Sequence, residues 1–242
     1  MGRYGPEVKD FDFSAERVTA SVHESLARLQ VPYLDVVQLH DVEFGDLDQV
    51  VNEAVPALLK IKEAGLARHI GVTGLPFKAL RYVADRSPPG TFDMVLSYCH
   101  YCLNDQTLGD EVAYFQSRGM GVVNASPLCM GLLTPQGPPE WHPAPPALQA
   151  AARSAAELCA SRGVDLPKLA MSWAMRNEDI ATTLVGMCEP EQVRVNVQNT
   201  LEALGAAPNA QAAAEAAVLA ELEGVFAPVM GLTWPSGRPE NN

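Results

Sequence analysis

Five times along the chain, a short run rich in β-branched residues is followed by a longer segment whose apolar residues recur at a helical period. A strand feeding a helix, repeated, implies a parallel sheet with helical crossovers. The runs are 34–39, 69–73, 93–97, 121–125 and 181–185. The helical segments are about 46–65, 76–85, 105–118, 147–162 with 166–176, and 190–204. One unpaired helix precedes the first run, with Ser14 as its cap and Val18, Val22, Leu26 and Leu29 on one face. A last alanine-rich helix, about 210–226, and a Pro/Gly tail finish the chain. The length, 242 residues, lies close to the ~250 of a complete eightfold barrel, but the alternation counts only five units.

Local signals sharpen two of these segments. In the second helix Asp46 and Gln49 have the spacing of a capping box, and Leu47, Val50, Val51, Ala54, Val55, Leu58 and Ile61 form its apolar stripe. Gly65 supplies the stop, and Pro56, inside the helix, predicts a kink. The segment 134–146 is a proline-rich loop. No compositional break or internal repeat divides the chain, so residues 1–242 are expected to form a single domain.

Composition excludes several classes. Lys and Arg total 17 against 29 Asp and Glu, a formal charge of −12, which opposes nucleic-acid and anionic-membrane surfaces. No apolar run reaches the ~18 residues of a membrane helix. The N-terminus carries no signal-peptide core, and Pro6 breaks a myristoylation pattern. The five cysteines are therefore expected to be free thiols in a reducing, cytoplasmic setting. Gly-x-Gly-x-x-Gly and P-loop patterns are both absent.

Parallel α/β folds place their chemistry just past the strand C-terminal ends. There the chain carries His40, Asp41 and Glu43; Thr73 and Gly74; Ser97 through Tyr101; Ser126, Leu128, Met130 and Gly131; and Gly186, with Gln192 and Asn196 on the following helix. His40 is the sharpest candidate, because an imidazole can polarise a carbonyl or move a proton near neutral pH. Asp41 and Glu43 are expected to be solvated or capping rather than catalytic. Cys99-His100-Tyr101-Cys102 is a lone Cys-x-x-Cys without partners enough for zinc, so no metal is expected and buried thiols are the default. Trp141-His142 in the proline-rich loop reads either as a lid over a substrate or as a loop packed on the scaffold.

Together these motifs resemble the aldo-keto reductase family, in its L-galactose dehydrogenase-like branch. The resemblance runs from Gly2-Arg3-Tyr4 to Trp234-Pro235-Ser236-Gly237. It is carried by Phe11-Asp12-Phe13-Ser14-Ala15-Glu16-Arg17, Leu39-His40-Asp41, Gly71-Val72-Thr73-Gly74-Leu75-Pro76, Leu96-Ser97-Tyr98-Cys99-His100-Tyr101, Ala125-Ser126-Pro127-Leu128, Gly131-Leu132-Leu133 and Gly137-Pro138-Pro139-Glu140-Trp141-His142-Pro143. It implies an incomplete (β/α)8 TIM barrel of about five parallel strands, the family's fourth to eighth. It also implies hydride transfer between a nicotinamide cofactor and C1 of an aldose.

Of the family's Asp, Tyr, Lys and His, only the histidine has a match, His40. The resemblance places the lysine just before Met1 and the Asp and Tyr further upstream, and Tyr4 matches a position beyond that lysine. Thr73 and Gly74 match the carboxamide site, and Ser97 or Tyr101 is expected to face the nicotinamide ring. Ser126, Leu128 and Met130 match the pyrophosphate loop, and Gly186, Gln192 and Asn196 the adenosine side. Trp141, His142 and Trp234 suggest a sugar site.

The absence of Lys or Arg at Gly186 and Gln192, with Glu189 beside them, favours NAD over NADP. With the proton-relay residues unmatched, this polypeptide alone is expected to turn over weakly or not at all. The alternatives are a non-catalytic remnant or isoform that binds a nucleotide or a partner, and a zinc hydrolase using His40 with Cys99 and Cys102. Unclosed sheet edges suggest self-association.

Overall fold

The computed structural model describes residues 11–242. The Gly2-Arg3-Tyr4 motif and Tyr4 itself lie outside the described residues. In chain order the elements are α1 (Ala15–Leu29), β1 (Leu34–Leu39), α2 (Leu47–Gln49), α3 (Val55–Glu63), β2 (Ala67–Gly74), α4 (Phe77–Arg86), β3 (Met94–Tyr98), α5 (Thr107–Gln116), β4 (Gly121–Ala125), α6 (Pro146–Ser161), α7 (Leu166–Ala174), β5 (Thr182–Leu184), α8 (Pro190–Ala203) and α9 (Ala212–Phe226). The sheet has five strands in the order β1-β2-β3-β4-β5, and β1–β2, β2–β3 and β4–β5 pair in parallel. Among the described residues β1 and β5 are its edges, so the sheet is open, as expected of an incomplete barrel. No described helix is long and apolar enough to cross a membrane.

The sequence signals act locally as expected at α1. The Ser14 hydroxyl accepts from the Arg17 N–H, and Val18 and Val22 are fully buried, but Leu29, expected on the same face, is exposed in the last turn. At its end Gln30 takes the left-handed conformation and its N–H returns to the Leu26 carbonyl.

The second helix departs from expectation. Instead of one kinked helix over 46–65, a π-helical stretch, Val50–Ala54, joins α2 to α3. The Val55 N–H reaches back five residues to the Val50 carbonyl, and the ladder resumes with Pro56 in the first turn of α3. Pro56 has no N–H to carry the ladder on, and the widened turn before it lets the helix pass without a break. The capping box is also only half formed. Asp46 accepts from the N–H groups of Asp48 and Gln49, but the Gln49 amide donates onward to Glu53.

Contacts group the chain into two compact units. The first holds the chain up to Ser97 with Ala113–Val122 and Pro235–Asn242, and the second holds Tyr98–Val112 and Val123–Trp234. In the first, α1 packs on α3, and Val37, Leu39, Ile70, Val72 and Val95 fill the interior under β1–β3. In the second, α6 packs on α9 and α7 on α8, around Leu148, Ala155, Leu169 and Phe226. On α8 Val193, Val197 and Leu201 stay exposed, as does Leu204 at its C-terminal cap.

Candidate active site

In the first unit the register of the parallel strands does most of the positioning. Leu39 of β1 stands opposite Val72 of β2, so the next residues, His40 and Thr73, emerge side by side. Asp41 has a left-handed backbone, φ 53°, which turns its N–H onto the Thr73 hydroxyl at 3.1 Å. Its carboxylate lies 3.3 Å from His40 Nδ1. That contact favours the proton on Nδ1, which leaves Nε2 as the nitrogen able to exchange one. His40 stays about half exposed, whereas Thr73 is buried. One strand further, Gly74 stands opposite Ser97, whose hydroxyl is buried and without a hydrogen-bond partner. His40, Thr73, Gly74 and Ser97 thus share one end of three adjacent strands.

Glu43 overturns its expectation as a solvated carboxylate. Its side chain is wholly buried. Oε1 accepts from the Leu75 N–H and the Ser236 hydroxyl, both at 3.0 Å, and Oε2 has no partner. Burial pushes its pKa up to about 7, and the neighbouring Asp41 charge adds to that rise.

In the second unit, Tyr101 lies against Trp173 with ring centroids 4.9 Å apart, a contact the sequence did not reveal. After β4 the backbone turns through left-handed residues at Ser126, Cys129 and Met130 (φ 57°, 49° and 54°) and at Gly131. Left-handed non-glycine residues cost energy and cluster where a backbone must present itself to a ligand. The Ser126 N–H is tied to the Leu184 carbonyl of β5 at 3.0 Å. Past β5, a Cβ added at Gly186 would meet nothing within 4 Å, so the main chain there faces open space. Gln192 closes a capping box at the start of α8, its carbonyl oxygen accepting from the Cys188 and Glu189 N–H groups. Asn196, on the same helix, lines an apolar cleft with Met171, Ile180, Val193 and Leu201.

The three proposed sugar residues separate. Trp141 is 70% exposed, while His142 and Trp234 are buried and pack edge to face at 5.1 Å. Both His142 nitrogens are engaged, Nε2 with the Cys129 carbonyl at 2.9 Å and Nδ1 with the Ala144 N–H at 3.1 Å.

Cys99, Cys102, Cys129 and Cys159 are buried free thiols and Cys188 an exposed one. Hydrogen bonding with Cys129 and burial hold the Cys102 thiol well above its ordinary pKa, so it stays protonated. Among the described residues no three His, Cys, Asp or Glu side chains converge as a metal site. Sequence reasoning also missed a buried pair at the β3–α5 connection. His100 Nδ1 lies 2.9 Å from Asp105, whose other oxygen accepts from the Thr107 hydroxyl at 2.6 Å, and together they hold that loop.

The residues present fit the dinucleotide that the resemblance implies. The run of left-handed residues after Ser126 suits main-chain N–H recognition of a pyrophosphate, and Gly186 leaves it room. The orphaned Ser97 hydroxyl is a buried polar atom of the kind a carboxamide could satisfy.

Comparison with known proteins agrees with this geometry. Residues 3–208 match the Aldo/keto reductase family. L-galactose dehydrogenase of Arabidopsis thaliana is 50% identical over 99% of this chain and 72% of its own length. D-arabinose 1-dehydrogenase of Saccharomyces cerevisiae is 33% identical over 82% of this chain, which spans only 61% of that relative. Among solved structures, an aldo-keto reductase from Bacillus halodurans in its holo form superimposes with a TM-score of 0.67 at 25% identity, covering 88% of this chain and 66% of its own. A parallel sheet with its candidate residues at the strand ends, together with half-identity along nearly its whole length, establishes that this chain belongs to the aldo/keto reductase family.

Proposed function

We propose that this chain serves an NAD-dependent aldose 1-dehydrogenase that oxidises C1 of L-galactose or a closely related sugar to the lactone. The observation that carries the proposal is the 50% identity to the plant L-galactose dehydrogenase along 99% of the chain. The relatives D-arabinose 1-dehydrogenase and D-threo-aldose 1-dehydrogenase, both named for sugars, point to the same substrate class. A bound nicotinamide supplies the hydride acceptor at its C4. His40 touches the sugar oxygen at C1 and orients it, with Asp41 holding the imidazole. Thr73 and Gly74 receive the carboxamide, Ser97 or Tyr101 faces the ring, and the turn at Ser126, Leu128 and Met130 holds the pyrophosphate. Gly186 and Asn196 take the adenosine, with Gln192 shaping the turn through its cap. Trp141 covers the sugar. All five cysteines are free thiols, which supports a cytoplasmic setting.

The test is L-galactose-dependent NADH formation with nucleotide binding measured beside it. NADH binding, slow turnover that prefers L-galactose among aldoses, and loss of that turnover in His40→Ala would support the proposal. Failure to bind either NADH or NADPH would overturn it.

Cofactor choice gives a separate prediction. Around the adenosine end the chain offers Glu189 and Glu191, and Arg194 is already paired to Glu191 at 2.9 Å. Among the described residues there, a 2′-phosphate would meet two carboxylates and an arginine already paired to one of them. NADH is therefore expected to bind at least ~10-fold more tightly than NADPH, a difference of about 1.4 kcal/mol. A fluorescence titration ranking NADPH first would refute this.

A further inference from the structure

We propose that Glu43 is a positioning residue whose carboxyl ties the Gly74-Leu75 turn after β2 to the C-terminal segment 235–242, and that loss of its proton loosens that segment. The inference rests on the nucleotide-binding reading only for its second readout below.

The last residues of the chain are folded over Glu43. Its Oε1 takes both the Leu75 N–H and the Ser236 hydroxyl. Its main-chain carbonyl accepts from the Arg238 N–H at 2.9 Å and from the Asn241 side-chain amide at 2.8 Å, and that amide also reaches the Gly45 carbonyl. Gly237, with φ 74°, lies so close to the Glu43 carbonyl that no Cβ would fit. On the other side Oε2 presses on Gly74, where an added Cβ would stand 2.6 Å from it. One side chain therefore sets the distance between the turn that follows Thr73 and the end of the chain.

This carboxyl is built for its neutral form. Two donors satisfy Oε1, but Oε2 is buried without a partner, so a full negative charge there is poorly compensated. Burial is the main reason its pKa rises to about 7. The charged groups on the elements around it do not relieve that. On its own turn Asp41 repels, and His40 is engaged with Asp41. From α4, Lys78 donates to the main-chain carbonyls of Glu240 and Asn242. From the C-terminal segment, the Arg238 guanidinium donates to the Phe44 carbonyl and lies 4.0 Å from Glu240. When the segment lifts, Glu43 meets water and its pKa returns towards the ordinary 4.5. The closed form thus binds the proton more tightly, and closure is lost as pH rises from about 4.5 to about 7, levelling off above.

The experiment is hydrogen exchange on the full chain, read as opening constants for the Leu75 amide and for 235–242 after correction for intrinsic exchange. In the wild type the opening constant is expected to rise about tenfold between pH 6 and pH 8. Glu43→Gln keeps an acceptor at Oε1 and cannot ionise, so it should stay as protected at pH 8 as the wild type at pH 6. Glu43→Ala should be open at both. A tenfold dependence that persists in Glu43→Gln, where His40 is retained, would overturn the proposal, as would wild-type protection in Glu43→Ala. If the alanine variant fails to fold, the glutamine variant decides alone. NADH affinity is the second readout, expected to fall with pH in the wild type and not in Glu43→Gln. Exchange that behaves as expected with no nucleotide bound at all would reject the functional reading and leave the Glu43 contact standing.

Discussion

Purified as these 242 residues and given NAD+ and L-galactose, the polypeptide is expected to form NADH at least ~100-fold more slowly than the Arabidopsis enzyme, while still binding the nucleotide. Oxidation at C1 must remove a hydroxyl proton as the hydride leaves, and a positioned acid–base group contributes ~10²–10⁴-fold to such a step. The resemblance implies that the family's relay is a tyrosine whose pKa a lysine lowers. Three of the five described tyrosines offer poor substitutes. The Tyr82 hydroxyl bonds to Asp48, which pushes its pKa up, the wrong direction for a relay. The Tyr114 hydroxyl bonds to Asp85 beside Arg118, and Tyr101 lies tilted against Trp173. On the proposed reading His40 orients the sugar oxygen but does not replace that relay. Relay residues act as a unit, so their effects do not add, and ~100-fold is a floor. Steady-state rates of the two proteins under one set of conditions check this. Turnover within tenfold of the plant enzyme would mean that a group not yet considered moves the proton.

How much of this was legible beforehand follows from how far each signal reaches along the chain. β4 appears over the residues expected, 121–125, because Gly121 and the loop after Ala125 bound a short apolar run. The cluster of His40, Thr73, Gly74 and Ser97 was also legible, since parallel strands in sequence order carry adjacency from one strand end to the next. The π-helical turn before Pro56 was not, because its apolar stripe has nearly the period of an α-helix. Gln192 was read as a ligand position, but Glu189 at the cap and Gln192 three residues on are the two halves of a capping box. Glu43 lay furthest from reach. The hydroxyl that buries it belongs to Ser236, 193 residues later, and no local pattern encodes a contact of that range.

Neighbours in the proline-rich loop should part company when mutated. His142→Ala is expected to lower stability by about 2–4 kcal/mol, whereas Trp141→Ala should change it by no more than ~0.5 kcal/mol. His142 is a buried strut. Because Nδ1 accepts from the Ala144 N–H, Nε2 carries the proton and donates to the Cys129 carbonyl. Removing the ring strands both main-chain groups, at ~1–3 kcal/mol for a buried orphan, and forfeits its edge-to-face contact with Trp234, worth ~0.5–1.5 kcal/mol. For a chain of this size that corresponds to a fall in melting temperature of roughly 5–15 °C. Trp141 leaves most of its ring in water and so contributes little to the folded state. Its value lies in what it can cover, so Trp141→Ala should raise the KM for the sugar several-fold at an unchanged melting temperature. Thermal melts of the two variants, with sugar kinetics on the second, separate the roles. A Trp141→Ala melting temperature that falls as far as that of His142→Ala would show that the whole loop is scaffold, and a KM unmoved by the loss of the indole would remove Trp141 from the sugar site.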